Sequence, residues 1–182
     1  MTQERRRTGF WYIAEDEPDR TALILPDGSV RSYGELYAEA NRLARGLRWL
    51  GLDAGDGIVV VVENGESYFT LQLAAMQIGL YFTAANHHLT AAELAYILED
   101  SEASVLVCSP QYAEICDEAV GATARVDGRA YVDGEEAMGR LQPLTQLVDE
   151  QLDSLPANRV PGKLMTYTSG TTGRPKGIRR KI

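Results

Sequence analysis

The sequence predicts an α/β fold, a largely parallel sheet flanked by helices, on two observations. Short, largely apolar runs at residues 58–62, 80–84 and 105–107 lack the regular polar alternation of a half-exposed strand. Between them lie longer stretches with helical periodicity, two of them opened by a complete N-terminal capping signal. Strands that alternate with helices imply parallel pairing through right-handed crossovers. With 182 residues, 45% of them hydrophobic and 24% charged, the chain can bury one proper core and is not of disordered composition.

Residues 21–25 and Ser29-Val30-Arg31 flank Pro26-Asp27-Gly28 and read as a hairpin, with the glycine at its turn. Ser32-Tyr33-Gly34-Glu35 is a capping box, since Glu35 can reach back to the Ser32 amide. Leu36, Ala40, Leu43, Leu47 and Leu50 continue at helical spacing, and Gly51 ends the helix. Glu39, Arg42, Arg45 and Arg48 fall off that stripe and are expected to be solvated surface. Residues 53–57 turn into the β-branched run 58–62. Residues 66–78 are apolar nearly all round, through Tyr68, Phe69, Leu71, Leu73, Ala74, Ala75, Met76 and Ile78, and predict a buried helix.

Thr90-Ala91-Ala92-Glu93 is a second capping box, with Leu89 and Leu94 placed for a hydrophobic staple, on a helix to about Asp100. Ser109-Pro110 starts the next helix with proline in its first turn. From 121 to 139 glycines and acids interrupt every pattern, and no element is assigned. Residues 143–152 suggest a surface helix. Residues 153–162, with Pro156 and Pro161, suggest a connector into a final strand at 164–167.

Several function classes are disfavoured by composition. The basic start, residues 1–7, precedes an apolar run of only residues 10–14, too short for a secretory core. No other stretch could span a bilayer as a helix, so a cytoplasmic protein is expected. Cys108 and Cys116 are too few and too far apart for a zinc site or disulfide framework and read as reduced core residues. His87 and His88 are adjacent on a loop, but no acid or thiol stands at ligand spacing from them. No Ser-His-Asp set or nucleophile elbow occurs, and Cys108 has no local base. The net charge of −8 hides an asymmetry: all 26 Asp and Glu lie at or before Asp153, against 11 Lys and Arg. The residues from Ser154 onward carry seven basic side chains and no acidic one. An acidic body argues against nucleic-acid binding, and a basic end argues for a small polyanionic ligand.

That basic end contains the chain's most distinctive stretch. Leu164-Met165-Thr166-Tyr167 runs into Thr168-Ser169-Gly170-Thr171-Thr172-Gly173-Arg174-Pro175-Lys176-Gly177. Small hydroxyl residues and glycines expose backbone N–H groups, and Lys176 can set a point charge on a phosphate. Gly170 and Gly173 can take positive φ where the backbone must approach a ligand. This is not a Walker A loop, which needs glycine before the lysine, Ser or Thr after it, and a helix following. Pro175 and Gly177 stand in those places.

The stretch resembles, nearly residue for residue, the phosphate-binding signature of the acyl-adenylate-forming superfamily. That superfamily holds the AMP-forming acyl-CoA synthetases, the luciferases and the adenylation domains of peptide synthetases. The order of the earlier segments is similar too: an opening helix at 10–14, the helix 32–51, the turn and strand 52–62, and the segment 78–107 with its Asn86-to-Thr90 turn. The resemblance implies part of an acyl-adenylate-forming N-terminal domain over residues 1–182, ending just after the phosphate loop. Members are roughly three times longer, so the adenine, ribose and magnesium segments and the small C-terminal domain are not among these residues. Arg179-Arg180-Lys181 also stands where the resemblance leads us to expect a more neutral strand.

The implied activity of a full-length parent is activation of a carboxylic acid, best a fatty acid, with Mg-ATP to an acyl-adenylate. Transfer of the acyl group to coenzyme A would follow, and the fragment alone would be inactive. Thr168, Ser169, Gly170, Thr171, Thr172, Gly173 and Lys176 would hold the β- and γ-phosphates, Lys176 neutralising charge and Thr168 standing beside Mg2+. Two alternatives stay open: an amino-acid adenylation domain, and a non-catalytic module whose basic end binds an acidic partner. The apolar run 59–62 and the helix 66–78, with an open edge at 164–167, also suggest self-association.

Overall fold

The computed structural model describes residues 9–168 and 176–181. β3 (Gly57–Val61) has no exposed residue. Its side chains divide by parity, as a strand's must. Ile58, Val60 and neighbouring Val62 enter one apolar cluster with Leu43, Leu47, Leu71 and Phe82. Val59 and Val61 enter a second with Leu94, Leu98, Leu106 and Val120. Such a strand needs cover on both faces, which fixes three layers. On the first face lie α2 (Tyr33–Trp49), α3 (Glu66–Gln77) and α6 (Thr145–Val148). On the second lie α4 (Ala91–Asp100) and α5 (Ala113–Gly121).

The central sheet has six strands, all parallel. β3 pairs with β4 (Tyr81–Ala84) on one side and β5 (Ala103–Cys108) on the other. β8 (Lys163–Leu164) extends the sheet beyond β4. β6 (Ala130–Val132) and β7 (Gln142–Pro143) extend it beyond β5. The spatial order is β7-β6-β5-β3-β4-β8. From β3 the chain moves one way to β4, then back across to β5. Crossovers of one hand then place their helices on opposite faces, α3 on the first and α4 on the second. The order of strands therefore reverses between β3 and β5.

Local signals hold where the sequence states them most directly. α2 begins with its capping box: the Glu35 amide donates to Ser32 Oγ at 3.2 Å and the Ser32 amide to Glu35 Oε2 at 2.7 Å. Thr90 and Glu93 repeat it on α4 at 3.3 and 2.8 Å. Leu94 is buried, with Leu89 packed on the same cluster. β1 (Thr21–Ile24) and β2 (Val30–Ser32) form the hairpin, and Gly28 takes φ 85° at its turn. The opening helix α1 (Phe10–Asp16) lays Trp11 edge-on against Tyr37, with ring centroids 5.9 Å apart.

Other expectations need correction. Glu39, Arg45 and Arg48 are half-buried rather than solvated, while Arg42 is exposed. Arg45 donates to the carbonyls of Ser154 (3.2 Å) and Leu155 (3.0 Å), and Arg48 to those of Ala157 and Asn158. Asn41 Nδ2 reaches the Asp153 carbonyl at 2.7 Å. The irregular connector has no ladder to satisfy its carbonyls, so side chains of α2 do so. α3 buries one face, through Thr70, Leu71, Ala74, Ala75 and Gln77, but leaves Phe69 43% exposed. The surface helix expected at 143–152 is the single turn α6, with Leu144 and Leu147 buried, because the sheet takes residues 142–143 as β7. The helix opened by Ser109-Pro110 is first a 3₁₀ turn (Pro110–Tyr112), and α5 begins at Ala113. The final strand divides: β8 joins the main sheet, while β9 (Thr166–Thr168) pairs antiparallel with β10 (Lys176–Ile178). Among the described residues no helix is long and apolar enough to cross a membrane.

Gly46 shows why α2 and α6 lie so close. A Cβ there would come 2.9 Å from the carbonyl carbon of Leu147 and nearer still to its oxygen. Helix propensity alone makes Gly46→Ala stabilising by about 1 kcal/mol; the contact makes it destabilising by ~1–3 kcal/mol, the usual cost of overpacking. Urea unfolding of the variant should show a lower midpoint, and a higher one would refute this account of the α2–α6 packing.

Candidate functional site

β9 and β10 form a short hairpin whose arms bracket the Gly/Thr-rich stretch. Lys176 pairs with Thr168, Gly177 with Tyr167 and Ile178 with Thr166. The two flanks of the loop are thus set side by side by backbone pairing. Gly177 packs closely on side chains: a Cβ would fall 2.9 Å from Cζ of Tyr167 and closer to the Met165 methyl, so those side chains would have to move. The Tyr167 hydroxyl donates to Asp100 Oδ2 at 2.7 Å, at the end of α4. Burial, and then that bond to Asp100, pushes the Tyr167 phenol above its ordinary value.

Immediately after β10 the chain is anchored again. Arg179 is ion-paired with Glu102, donates from Nη2 to the Gly55 carbonyl at 2.7 Å, and lies 4.4 Å from the Tyr81 ring centroid. Tyr81 donates its hydroxyl to the Arg180 carbonyl at 2.7 Å. Gly55, Tyr81 and Glu102 stand at the amino ends of β3, β4 and β5, so the hairpin leans on the sheet's most buried strands. Part of the basic end thus serves architecture. Arg159 likewise stacks on Trp11, 4.3 Å from its centroid.

Of the residues expected to hold phosphate, Thr168 closes β9 and Lys176 opens β10. Lys176 is exposed, and no acidic side chain pairs with it among the described residues. Ser169, Gly170, Thr171, Thr172 and Gly173 lie outside the described residues. An exposed ammonium at the start of a hairpin strand is a donor suited to a polyphosphate. The strand that follows Lys176 agrees with the distinction from a Walker A loop, where a helix would follow. His87 stacks on Tyr112 with centroids 5.1 Å apart. Among the described residues no three His, Cys, Asp or Glu side chains are grouped to hold a metal ion. Cys108 and Cys116 are buried free thiols; Cys116 beside it and burial push the Cys108 thiol upward.

One cluster escaped the sequence reading. Arg31 on β2 is ion-paired with Glu66 in the first turn of α3, and also with Glu35 at 3.5 Å. Glu39 of α2 stands behind Glu66. Burial, then the charge of Glu66, pushes the Glu39 carboxyl up to about 7, with Asp133 adding to the rise and Arg31 opposing it. Ser67 donates its hydroxyl to Asp133. The only sequence signal was an acid one turn beyond a capping glutamate, which looks like any surface residue.

A family model for AMP-binding enzymes matches residues 10–180. Feruloyl-CoA synthase of an Amycolatopsis species is 34% identical over 172 residues, 93% of this chain and 32% of that protein. The phosphinothricin tripeptide synthetase PhsB of Streptomyces viridochromogenes is 32% identical over 167 residues, 91% of this chain and 13% of that one. Among solved structures, a Mycobacterium tuberculosis fatty acyl CoA synthetase superposes with a TM-score of 0.75 at 26% identity, over 93% of this chain and 33% of that one. The chain thus spans about a third of the feruloyl-CoA synthase it matches.

Folded-state protonation of Glu39 has a measurable consequence. Its pKa lies above the unfolded value of 4.5, so the folded state binds the extra proton between about pH 4.5 and 7. Stability is therefore expected to fall as pH rises through that window. Glu39→Gln should flatten the fall and stabilise the chain at about pH 8 by on the order of 1–3 kcal/mol. Chemical unfolding of both proteins across that range measures it; parallel profiles would contradict the assignment.

Proposed function

The chain belongs to the AMP-binding enzyme family, and from that premise we propose that the protein of which it forms part is an acid–thiol ligase. It joins a carboxylic acid to ATP, giving an acyl-adenylate and pyrophosphate, and then passes the acyl group to coenzyme A. The observation that carries the reading is the hairpin base, where Thr168 and Lys176 are register partners on either side of the signature loop. The residues lie in the phosphate-binding part of a large N-terminal domain, and a cytoplasmic location accords with the reading.

In this mechanism the loop works on the leaving pyrophosphate. As the carboxylate oxygen attacks the α-phosphorus, the α–β bridging bond breaks and negative charge builds on the departing β-phosphate. Lys176, the hydroxyls of Thr168, Ser169, Thr171 and Thr172 and the backbone amides of Gly170 and Gly173 would meet that charge as hydrogen-bond donors. Mg2+ would supply further neutralisation of the triphosphate, with Thr168 its neighbour. Pinning by Arg179 and Tyr81 keeps the loop's flanks from reorganising as charge develops.

A fatty or other apolar acid remains the favoured substrate class within this reading. It is compared directly by offering the full-length protein aliphatic, aromatic and amino acids in parallel. Lys176→Ala in that protein should lower acid-dependent pyrophosphate exchange about 10- to 100-fold, the worth of one charge-assisted bond of roughly 1.5–3 kcal/mol. Exchange at the wild-type rate would remove Lys176 from the chemistry. The 182-residue chain alone should give no acyl-AMP on thin-layer analysis, because transition-state binding needs more of the protein than this portion. The same chain should self-associate through its apolar exposures, Phe69 and Leu164 among them. A sharp monomer in sedimentation at high protein concentration would overturn that.

A further inference from the structure

β9 and β10 pair with each other and stand outside the six-stranded sheet. A hairpin of three register pairs is marginal by itself, so its place depends on what grips it. The grips gather on one turn. α4 ends at Asp100, Ser101 caps it, and β5 begins at Ala103. Asp100 Oδ2 accepts the Tyr167 hydroxyl of β9 at 2.7 Å, and its Oδ1 accepts the Tyr96 hydroxyl of α4 at 3.3 Å. Buried Ser101 stands beside the same Tyr167 phenol. Glu102 is ion-paired with Arg179, the first residue after β10. Three consecutive residues thus hold one arm of the hairpin and the chain just past the other.

The backbone of this turn carries a second sign. Glu102 adopts φ 54°, the left-handed conformation that glycine usually supplies just past a helix end. Glycine would suit the backbone there but would leave Arg179 without its carboxylate. The turn is secured by its main chain: the Glu102 amide donates to the Glu99 carbonyl at 3.1 Å, and Arg125 donates to the Glu102 carbonyl at 2.7 Å. It is a fixed point, and its side chains locate the hairpin from it.

We propose that the Asp100–Glu102 turn positions Lys176, with Tyr167 and Arg179 as the links; the proposal rests on the ligase reading, in which Lys176 meets charge on the departing pyrophosphate. The path is short. Tyr167 is the register partner of Gly177, and a Cβ on Gly177 would fall 2.9 Å from the Tyr167 ring. Lys176 is the next residue. A Tyr167 ring released from Asp100 therefore lets the backbone that carries the ammonium shift. Asp100, Glu102 and Tyr167 are positioning residues, acting through Lys176 without touching the nucleotide. A donor misplaced by about 1 Å loses much of its effect on a transition state, while contacts that bind the acid elsewhere are unchanged.

The test is acid-dependent pyrophosphate exchange by the full-length protein, with KM for the acid measured alongside. Tyr167→Phe and Asp100→Ala should each lower kcat about tenfold and leave that KM unchanged. Asp100→Asn, which keeps an acceptor for the phenol, should restore most of the rate. Glu102→Gly should lower kcat several-fold while the urea midpoint holds or rises, because glycine fits the left-handed backbone. In a Lys176→Ala background none of these changes should cost anything further, since all act through that ammonium. Full additivity of Tyr167→Phe with Lys176→Ala overturns the proposal. So do wild-type rates for Tyr167→Phe and Glu102→Gly where Lys176→Ala is slow, or a Glu102→Gly variant that loses rate only as it loses stability. Wild-type exchange by Lys176→Ala itself is a different failure: it removes Lys176 from the ligase reading, and the proposal with it.

Discussion

A strand with no exposed face sets the terms for the rest of this molecule. β3 is covered on both sides, so neither of its clusters can be solvated without losing the burial that holds the strand in place. At roughly 25 cal/mol per Å² of apolar surface removed from water, several buried β-branched residues supply a large share of the drive for assembly. The cost is topological. Helices must be delivered to both faces, and the chain must cross the sheet in two directions to deliver them. The reversal between β3 and β5 follows from covering both faces rather than from any feature of a ligand.

Charge is spent on the irregular parts of the chain. The arginines of α2 satisfy carbonyls in a connector that has no strand or helix to do so. Arg179 serves the amino ends of the sheet in the same way. These guanidiniums carry fixed positive charge in a protein of net charge −8, and their value lies in geometry: one planar group reaches two acceptors. Lys176 differs, being exposed at the start of β10 with no acidic side chain paired to it among the described residues.

What could be read from the sequence was what adjacent residues decide among themselves. A capping box is complete within four positions, so Ser32–Glu35 and Thr90–Glu93 were legible, as was the β-branched run at 58–62. β6 and β7 were not, because three- and two-residue strands have too little pattern and exist only where β5 offers an edge. Glu39 was misread for a related reason. Its carboxyl is pushed up by burial and by the charges of Glu66 and Asp133, which are distant in sequence and meet it only when the elements pack. The signature stretch was legible as a mark of the family, while the short strands that place Thr168 beside Lys176 were only partly so.

The anchor at Arg179 also orders events in time. Its bond to the Gly55 carbonyl joins residues 124 positions apart, and the Tyr81–Arg180 bond joins residues 99 apart. Closing loops of that length is entropically unfavourable until the partners are already fixed in place. On a ribosome, β3, β4 and β5 emerge long before the hairpin and can pair without it. The β9–β10 hairpin therefore forms last, against a surface already built. An early error in strand pairing would be inherited by the hairpin as a misplaced foundation, although every residue of the hairpin itself were correct.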